Sequence, residues 1–281
     1  MCKLADMATY CYITKIMYVH FKQSGELMSS TEFGLWTPDA VRATVEKLNL
    51  AHLRRDELDM EGLMVVSGAG NVIRGESLKT QKIAPGYEDS IGRLATVQNS
   101  LVLKAALSQV GVPVALFTAD SMTIGDKTIG KVEPYDVEAV HEAYNKERVV
   151  IVAGGTGEDN STTDNAVLEY ASRHKNTYPE EDVLILKGTK VDGVFTSDPT
   201  KDGEARRYIS IPAKMMLDDY DRFRVVDQKS LWNIITSGLC MRVYKDESHD
   251  LTTVIAAGLS HDYNIGTLIV PDSSSEALLA Q

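Results

Sequence analysis

The sequence predicts an α/β protein with an open, mainly parallel twisted sheet and helices on both faces. Strand-like and helix-like segments alternate almost throughout the chain, which is typical of parallel strands joined by crossover helices. The chain has 281 residues, of which 43% are hydrophobic and 25% are charged. That composition is enough to bury a sizeable core, in one large domain or in two tightly joined lobes.

Short apolar runs bounded by turn residues predict the strands. The predicted strands are Ile13–Lys22, Leu63–Val66, Pro113–Thr118, Val149–Ala153, Val183–Lys187, Met241–Tyr244 and Thr267–Val270.

Helix start signals and apolar periodicity predict the helices between these strands. Thr37, Pro38 and Asp39 combine a hydroxyl cap, a proline in the first turn and an early acid. Further helices are predicted near Asp89–Val110, Val137–Tyr144, Thr162–His174 and Asp227–Ser237. In the longest helix, the apolar residues predicted to face inward are Ile91, Leu94, Leu101 and Ala105.

The charge balance and the apolar runs limit the possible partners. Net charge is −11, from 29 basic and 40 acidic residues, which argues against nucleic-acid binding because phosphate neutralisation needs clustered cations. A small anionic ligand stays possible, since helix N-termini bind phosphate through backbone N–H groups. No apolar run approaches the roughly 20 residues that span a bilayer, so no membrane contact is expected.

The cysteines and the N-terminus predict a cytoplasmic protein. Cys2, Cys11 and Cys240 show no CxxC spacing and are predicted to be free thiols in a reducing compartment. The N-terminal segment does not have the pattern of a secretory signal. The histidines show no metal-ligand spacing, and no structural metal is expected.

Three loops follow predicted strands, where ligands bind in open α/β sheets. The loop at 22–26 reads KQSGE and offers a lysine with adjacent backbone donors. The loop SGAGNVIRG at 67–75 has glycines that allow close backbone approach and an arginine that can fork onto a phosphate. A plain surface lysine and a generic glycine turn are the alternatives for these two loops. Neither a Rossmann nor a Walker A fingerprint is present.

The third loop, AGGTGEDNSTTDN at 153–165, leads into a predicted helix. Thr162 and Thr163 can cap that helix and present its N-terminal amides to an anion. Asp164 lies in the first helical turn, where the dipole favours a carboxylate; capping alone is an equally good explanation for it. A later run, TKVDGVFTSDP at 189–199, supplies a hydroxyl, an aromatic ring and a carboxylate suited to a nucleoside, or else an ordinary Asp-Pro turn.

In order and spacing these segments, together with DSIGRLATVQN at 89–99, resemble the amino acid kinase superfamily and, within it, the bacterial-type uridylate (UMP) kinases. The resemblance covers roughly residues 13–270 and includes VVD at 225–227 and GTLI at 266–269. It implies the amino acid kinase fold and the transfer of the ATP γ-phosphoryl group to UMP, which yields UDP in pyrimidine biosynthesis.

The resemblance also implies roles for individual residues. The catalytic residues would be Lys22, Asp164 and Arg74. The ATP-binding residues would be Lys22, Ser24, Gly25, Gly70, Arg74, Thr189, Phe195 and Asp198. The UMP-binding residues would be Gly68, Ala69, Asp89, Thr156, Gly157, Thr162 and Thr163. Mg²⁺ is expected with ATP, held mainly by its phosphates rather than by protein ligands.

The domain organisation implied by the resemblance has three parts. Residues 1–12 are an N-terminal extension, residues 13–271 form the kinase domain, and residues 272–281 are a flexible tail. Within the domain, the acceptor lobe covers roughly 13–180 and the ATP lobe roughly 181–271. A homo-oligomer, a hexamer by resemblance, is expected.

The chain departs from the family pattern at three places. Gln23 replaces a leucine, and Ala69 replaces the middle glycine of the second loop. Residues 158–161 read EDNS where the family has Asn-Pro-Phe-Phe, and two carboxylates there would repel an anionic acceptor. Glu158 and Asp159 are therefore expected to point into solvent or towards a neighbouring subunit.

Two other functions remain open on the sequence. The first is a kinase of the same fold with a different small acceptor, such as a carboxylate, a carbamate or another phosphate. The second is a non-catalytic homologue that binds nucleotides or oxyanions; the presence of Lys22, Asp164 and Asp198 together argues against it.

Overall fold

The computed structural model describes residues 17–29, 35–73, 78, 80, 82, 86–119, 123–124, 127–128, 132–260, 262–271 and 277–280. The predicted extension at 1–12 therefore lies outside the described residues. The helices of the described part are α1 (Pro38–Leu53), α2 (Glu88–Gln109), α3 (Val137–Asn145), α4 (Thr163–Thr177), α5 (Ala213–Asp218), α6 (Gln228–Ser237) and α7 (Leu251–Leu259), with a 3₁₀ turn at Gly25–Met28.

The strands alternate with these helices. They are β1 (Met17–Gln23), β2 (Met60–Ser67), β3 (Val114–Thr118), β4 (Thr123–Ile124), β5 (Lys127–Thr128), β6 (Glu133–Pro134), β7 (Val149–Ala153), β8 (Asp182–Thr189), β9 (Tyr208–Pro212), β10 (Met241–Lys245), β11 (Thr267–Val270) and β12 (Leu278–Leu279). Seven of them overlap the predicted strands, whereas β4, β5, β6, β9 and β12 were not predicted.

One sheet organises the described part of the chain, with the strand order β12-β9-β11-β10-β8-β1-β2-β7-β3-β6. All neighbours from β10 to β6 in this order are parallel, while β11 is antiparallel to β10 and β12 to β9. The predicted open and mainly parallel sheet is confirmed. Because β1, β2, β7 and β8 run in one direction, the loops after them meet at one edge.

Side chains that alternate along β1 supply the two apolar cores on the two faces of the sheet. Met17, Val19 and Phe21 pack with residues of α1, α2 and α7. Tyr18 points to the opposite face and packs with residues of α3, α4 and α6. By the same alternation, Lys22 projects towards the face that α4 covers. The strand thus buries its apolar residues and directs one cation to the start of α4.

The inward face predicted for α2 is wrong. Leu94 and Leu101 are 41% and 42% exposed, whereas Thr96 and Asn99 are buried. The reason is hydrogen bonding: Asn99 Nδ2 donates to Gly68 O at 2.7 Å, and Thr96 Oγ1 accepts from Gly154 N at 2.8 Å. Buried backbone groups of two loops need partners, and these polar side chains supply them. The buried face of α2 thus combines these polar residues with the core residues Val97, Leu103 and Leu107.

Two other expectations fail in the described part. Leu278 and Leu279, within the predicted flexible tail, form a short strand against β9. Cys240, predicted to be a free thiol, is disulfide-bonded. The cysteine content therefore no longer supports a reducing compartment. Among the described helices, none combines the length and the hydropathy needed to cross a bilayer.

The glycine before β11 provides a test of the packing between β10 and β11. Gly266 has φ +65°, and a Cβ atom there would lie 2.2 Å from Val243 O. Gly266→Ala should lower the free energy of unfolding by at least about 2 kcal/mol, because overpacking and a left-handed alanine each cost about 1 kcal/mol or more. Urea denaturation measures this change.

Gly203→Ala is the matched control, since a Cβ atom at Gly203 meets nothing within 4 Å. Its effect should stay within about 0.5 kcal/mol. Equal losses for the two variants would show that the backbone at Gly266 is not constrained by β10.

Candidate functional site

Two lysines and one aspartate form the centre of the site. Lys22 in β1 and Lys187 in β8 are register partners, so both side chains leave the same face of the sheet. Asp164 lies in the first turn of α4, which covers that face. Lys187 Nζ donates to Asp164 Oδ2 and, at 2.6 Å, to Val225 O. Lys22 Nζ lies 3.2 Å from Asp164 Oδ1.

The two lysines are held differently. Lys187 is buried and makes two hydrogen bonds, to the carboxylate and to the Val225 carbonyl. Lys22 pairs with Oδ1 by charge, and Oδ1 has no aligned hydrogen bond from the described residues. Lys187 is therefore the fixed member of the pair, and Lys22 is the lysine whose N–H groups can turn to a ligand.

The ionisation of these groups follows from their burial and their charges. Burial opposes ionisation of Asp164, but Lys187 and Lys22 outweigh that effect and lower its pKa to about 2. Burial lowers the pKa of Lys187, and the negative charge of Asp164 opposes that shift. Asp164 is therefore an ionised carboxylate at neutral pH, and it helps to keep Lys187 protonated.

Lys187 is a site residue that the sequence analysis missed. It is the last residue of the predicted strand Val183–Lys187, where it reads as a strand end. The sequence does show a lysine at the end of a buried strand, which is an unusual place for a charge. Its proximity to Lys22 follows from the pairing of β8 with β1. That neighbourhood depends on strand order, which the sequence analysis did not predict.

Close contact between the loops after β1 and β2 forms one wall of the site. Gly68 N donates to Gln23 O at 2.8 Å. A Cβ atom on Gly25 would lie 2.5 Å from Gly68 O, so only glycine fits there. Asn99 of α2 holds the same Gly68 carbonyl. The loops after β1 and β2 are therefore in direct contact.

The start of α4 is capped as predicted. Thr162 Oγ1 accepts from Asn165 N at 3.1 Å and donates to Asp227 Oδ2 at 2.6 Å. Asp227 in turn caps α6, since its Oδ1 accepts from Ser230 N at 3.0 Å. The hydroxyl of Thr162 therefore ties the N-termini of two helices together beside Asp164.

The loop between β7 and α4 (Gly154–Thr162, the β7–α4 loop) is tied to α2. Asp89 Oδ2 accepts from Asn160 N at 3.1 Å. Arg93 Nη1 donates to Gly157 O at 3.1 Å and to Asp159 Oδ1 at 2.8 Å. The loop thus spans from α2 on one side to α4 on the other and encloses the space between them.

The two carboxylates of this loop point largely into solvent, as expected. The side chains of Glu158 and Asp159 are 64% and 70% exposed. Each also forms an ion pair that the sequence did not predict: Glu158 with Lys229 of α6 at 2.8 Å, and Asp159 with Arg93 at 2.8 Å. Both negative charges are therefore compensated beside the cavity.

A cavity of about 650 Å³ lies between these elements. Seven of the sequence-predicted site residues line it: Lys22, Ala69, Gly70, Asp89, Thr162, Thr163 and Asp164. Residues that the prediction did not include also line it, among them Ile73, Gly92, Arg93, Thr96, Glu158 and Asn160. Its volume and its cationic end suit a small phosphorylated molecule.

The other predicted residues lie outside the lining of this cavity. Ser24 precedes the 3₁₀ turn Gly25–Met28. Gly25, Gly68, Thr156 and Gly157 belong to the loops around the cavity; Thr156 Oγ1 accepts from Glu158 N at 3.2 Å. Arg74 lies outside the described residues.

The predicted nucleoside-binding residues lie at the end of β8 and in the segment after it. Thr189 Oγ1 donates to Val191 O at 2.5 Å, and Phe195 forms a β-bridge with Arg207. Asp198 accepts from Thr200 N at 3.0 Å and from Thr200 Oγ1 at 2.7 Å, and these bonds lower its pKa. The Asp198 carboxylate therefore stabilises its own Asp-Pro turn, which is the alternative that the sequence left open.

The arrangement is suited to chemistry at a phosphoryl group. Two ammonium groups and the N-terminal end of α4 concentrate positive charge at one end of the cavity. Asp164 orients these cations and is too strongly ionised to act as a base near neutral pH. Such a site stabilises negative charge and aligns reactants without removing a proton.

Comparison with known proteins agrees with this chemistry. The profile described as the amino acid kinase family matches residues 22–240. This span holds the end of β1, strands β2–β9, the three loops and the Lys22–Asp164–Lys187 centre. The chain belongs to the amino acid kinase family.

Sequence relatives and a solved structure give finer comparisons. The uridylate kinase of Azorhizobium caulinodans is 38% identical over 66% of this chain and 71% of its own length. That of Legionella pneumophila is 32% identical over 81% of each chain. The crystal structure of UMP kinase from Bacillus anthracis superposes with a TM-score of 0.77 at 23% identity, covering 95% of this chain and 99% of that one. At that identity, the structural likeness shows the fold alone.

The buried charges predict how stability depends on residue 164. Asp164→Asn leaves the two lysines without a counter-charge, and breaking a buried ion pair costs about 3–5 kcal/mol. Because the pKa of Asp164 is lowered to about 2 in the folded protein, its contribution is present above its ordinary value of 3.8 and is lost as pH falls towards 2. In urea unfolding, the free energy of unfolding of Asp164→Asn should therefore lie below that of wild type by a constant amount from pH 7 to 5. This difference should become smaller below about pH 4.

Asp56→Asn is the control, since Asp56 is an almost fully exposed carboxylate. It should change the free energy of unfolding by less than about 0.5 kcal/mol at every pH. If the loss in free energy of unfolding caused by Asp164→Asn instead becomes larger as pH falls, the ion pair does not explain it.

Proposed function

We propose that this chain is a UMP kinase that transfers the γ-phosphoryl group of ATP to UMP and yields ADP and UDP. The observation that carries the proposal is the pair of lysines held by Asp164 at the N-terminal end of α4. The uridylate kinases of Azorhizobium and Legionella support the acceptor, since both exceed 30% identity over more than two thirds of their length.

The proposed reaction is an in-line displacement. A phosphate oxygen of UMP forms a bond to the γ-phosphorus, and the bond from that phosphorus to the β–γ bridging oxygen of ATP breaks. Negative charge moves to the leaving ADP and is spread over the transferring group. Lys22, the less constrained lysine, stabilises this charge, while Lys187 and Asp164 hold Lys22 in place. An acceptor that is already a phosphate anion needs no general base.

The predicted binding residues divide between the two nucleotides. Asp89, Thr162 and Thr163, with Gly68, Ala69, Thr156 and Gly157, are proposed to surround UMP. Ser24, Gly25, Gly70, Thr189, Phe195 and Asp198 are proposed to serve ATP, as is Arg74. The cavity between α2 and α4 supports the first set because Asp89, Thr162 and Thr163 line it.

Mg²⁺ is proposed to arrive as the ATP complex. In the described part of the chain, no cluster of three or more histidine, cysteine or acidic side chains has the spacing of a metal site. The oxygens that Mg²⁺ prefers are then those of the phosphates and of water.

Self-association is also proposed, with a hexamer as the expected size. Tyr87, Leu94 and Leu101 recur at intervals of seven residues along α2 and are 67%, 41% and 42% exposed. Such a stripe supports an interface between subunits. Light scattering on the purified chain tests the assembly.

The acceptor is tested by ADP release with ATP and Mg²⁺ against UMP, CMP, dCMP, AMP and simple carboxylates. UMP should be the best acceptor in this panel. ADP release that does not change when any nucleoside monophosphate is added would exclude a UMP kinase. A preference for a carboxylate would indicate a kinase of the same fold with another acceptor.

Lys22→Ala tests the proposed role of the mobile lysine. The loss of one electrostatic contact made mainly in the transition state lowers kcat by about 10²–10³, and stability should change little because Lys187 still pairs with Asp164. Lys214→Ala, which removes an exposed lysine paired within α5, is the control. If kcat of Lys22→Ala stays within a few-fold of wild type, Lys22 does not stabilise the transition state.

A further inference from the structure

The β7–α4 loop carries two carboxylates beside a cavity proposed for an anionic acceptor. In the family pattern that the chain resembles, these positions hold asparagine and proline rather than Glu158 and Asp159. An uncompensated carboxylate there would repel a phosphate bound in the cavity. The chain must therefore neutralise charges that the usual loop sequence does not have.

Arg93 of α2 meets this requirement for Asp159. Its Nη1 donates both to Asp159 Oδ1 at 2.8 Å and to Gly157 O at 3.1 Å, and its Nη2 donates to Ser90 Oγ at 3.1 Å. The side chain is only 27% exposed and lines the cavity. One guanidinium thus binds the loop backbone, the loop carboxylate and its own helix.

The second ion pair of the loop has a different construction. Lys229 holds Glu158 through one contact at 2.8 Å, and both side chains are about half exposed or more. Lys229 does not line the cavity. An exposed lysine–carboxylate pair of this kind contributes little to stability because solvent screens it. The planar guanidinium of Arg93, with three acceptors, loses less side-chain entropy for each hydrogen bond that it forms.

The position of Arg93 also connects it to Asp89, one of the residues proposed to bind UMP. Asp89 lies one helical turn before Arg93 on α2 and accepts from Asn160 N at 3.1 Å. Asp89 and Arg93 therefore hold the loop at Asn160 and at Gly157, on the two sides of Asp159. The conformation of the loop between these points depends on both contacts.

We propose that Arg93 is a positioning residue for the acceptor, which holds the β7–α4 loop on α2 and neutralises Asp159. The proposal rests on the proposed UMP kinase function. Arg93 acts through the loop rather than on the reacting atoms, so it governs the binding of the nucleoside monophosphate and leaves phosphoryl transfer from the bound complex unchanged.

The test is steady-state kinetics on four forms of the full chain: wild type, Arg93→Met, Asp159→Asn and the double variant. Arg93→Met should raise KM for UMP by about tenfold or more, with kcat and KM for ATP within about threefold of wild type. Asp159→Asn alone should change KM for UMP by less than about threefold, because Arg93 remains on Gly157 O. In the Arg93→Met background, Asp159→Asn should recover at least about threefold of the lost affinity, because it removes the uncompensated charge.

Calorimetric titration of UMP into the same variants should reproduce the ranking without turnover. The affinity of Arg93→Lys for UMP should lie between those of wild type and Arg93→Met. Lysine keeps the positive charge but lacks the several N–H donors of a planar guanidinium. Arg54→Met is the matched control: Arg54 also pairs with an exposed carboxylate and donates to a hydroxyl, far from the loop in sequence and at the end of α1. Its KM for UMP should equal that of wild type.

Three results would overturn the inference. KM within twofold of wild type for Arg93→Met would show that the contacts to the loop have no effect on the acceptor. A rise in KM with no recovery by Asp159→Asn would show that the neutralisation of Asp159 by Arg93 has no effect on the acceptor. A fall in kcat comparable to that of Lys22→Ala would place Arg93 at the reacting atoms. If wild type itself does not phosphorylate UMP, the proposed function fails and this inference fails with it.

Discussion

The rest of the site is arranged around the ion pair between Lys187 and Asp164. It joins the end of β8 to the start of α4, and Lys187 also binds the carbonyl of Val225. Burial disfavours each charge alone, so the pair persists only because the partners compensate each other. Lys22 joins the same carboxylate at 3.2 Å and completes a cluster with one more positive than negative charge. The excess positive charge faces the cavity, since Lys22 lines it.

The loops around this centre are held by buried polar side chains of α2 rather than by apolar packing. Asn99 binds Gly68 O, and Thr96 binds Gly154 N, so the helix fixes the loops after β2 and β7 together. Leu94 and Leu101 then face outward. The same helix thus positions the site on one face and offers an apolar surface on the other, which is consistent with the proposed self-association.

The altered β7–α4 loop shows how a site can keep its electrostatics when its sequence changes. Glu158 and Asp159 add two negative charges, and Lys229 and Arg93 each compensate one of them. Neither cation was apparent as a partner from the sequence, because they lie on α6 and α2, 71 and 66 residues away in the chain. The two ion pairs form because α6 and α2 pack beside the β7–α4 loop.

The sequence by itself determined the class of fold, seven of the strands and seven of the sixteen residues that line the cavity. Apolar runs between turn signals predict strands from local sequence alone, and the ordered loop motifs contain Lys22, Gly70, Asp89, Thr163 and Asp164, which line one cavity. Only the tertiary structure decided the inward face of α2, the role of Lys187 and the partners of Glu158 and Asp159. These features depend on which strands are neighbours and on which buried backbone groups need a hydrogen bond. Such pairings join residues far apart in the chain, and a local pattern cannot specify them.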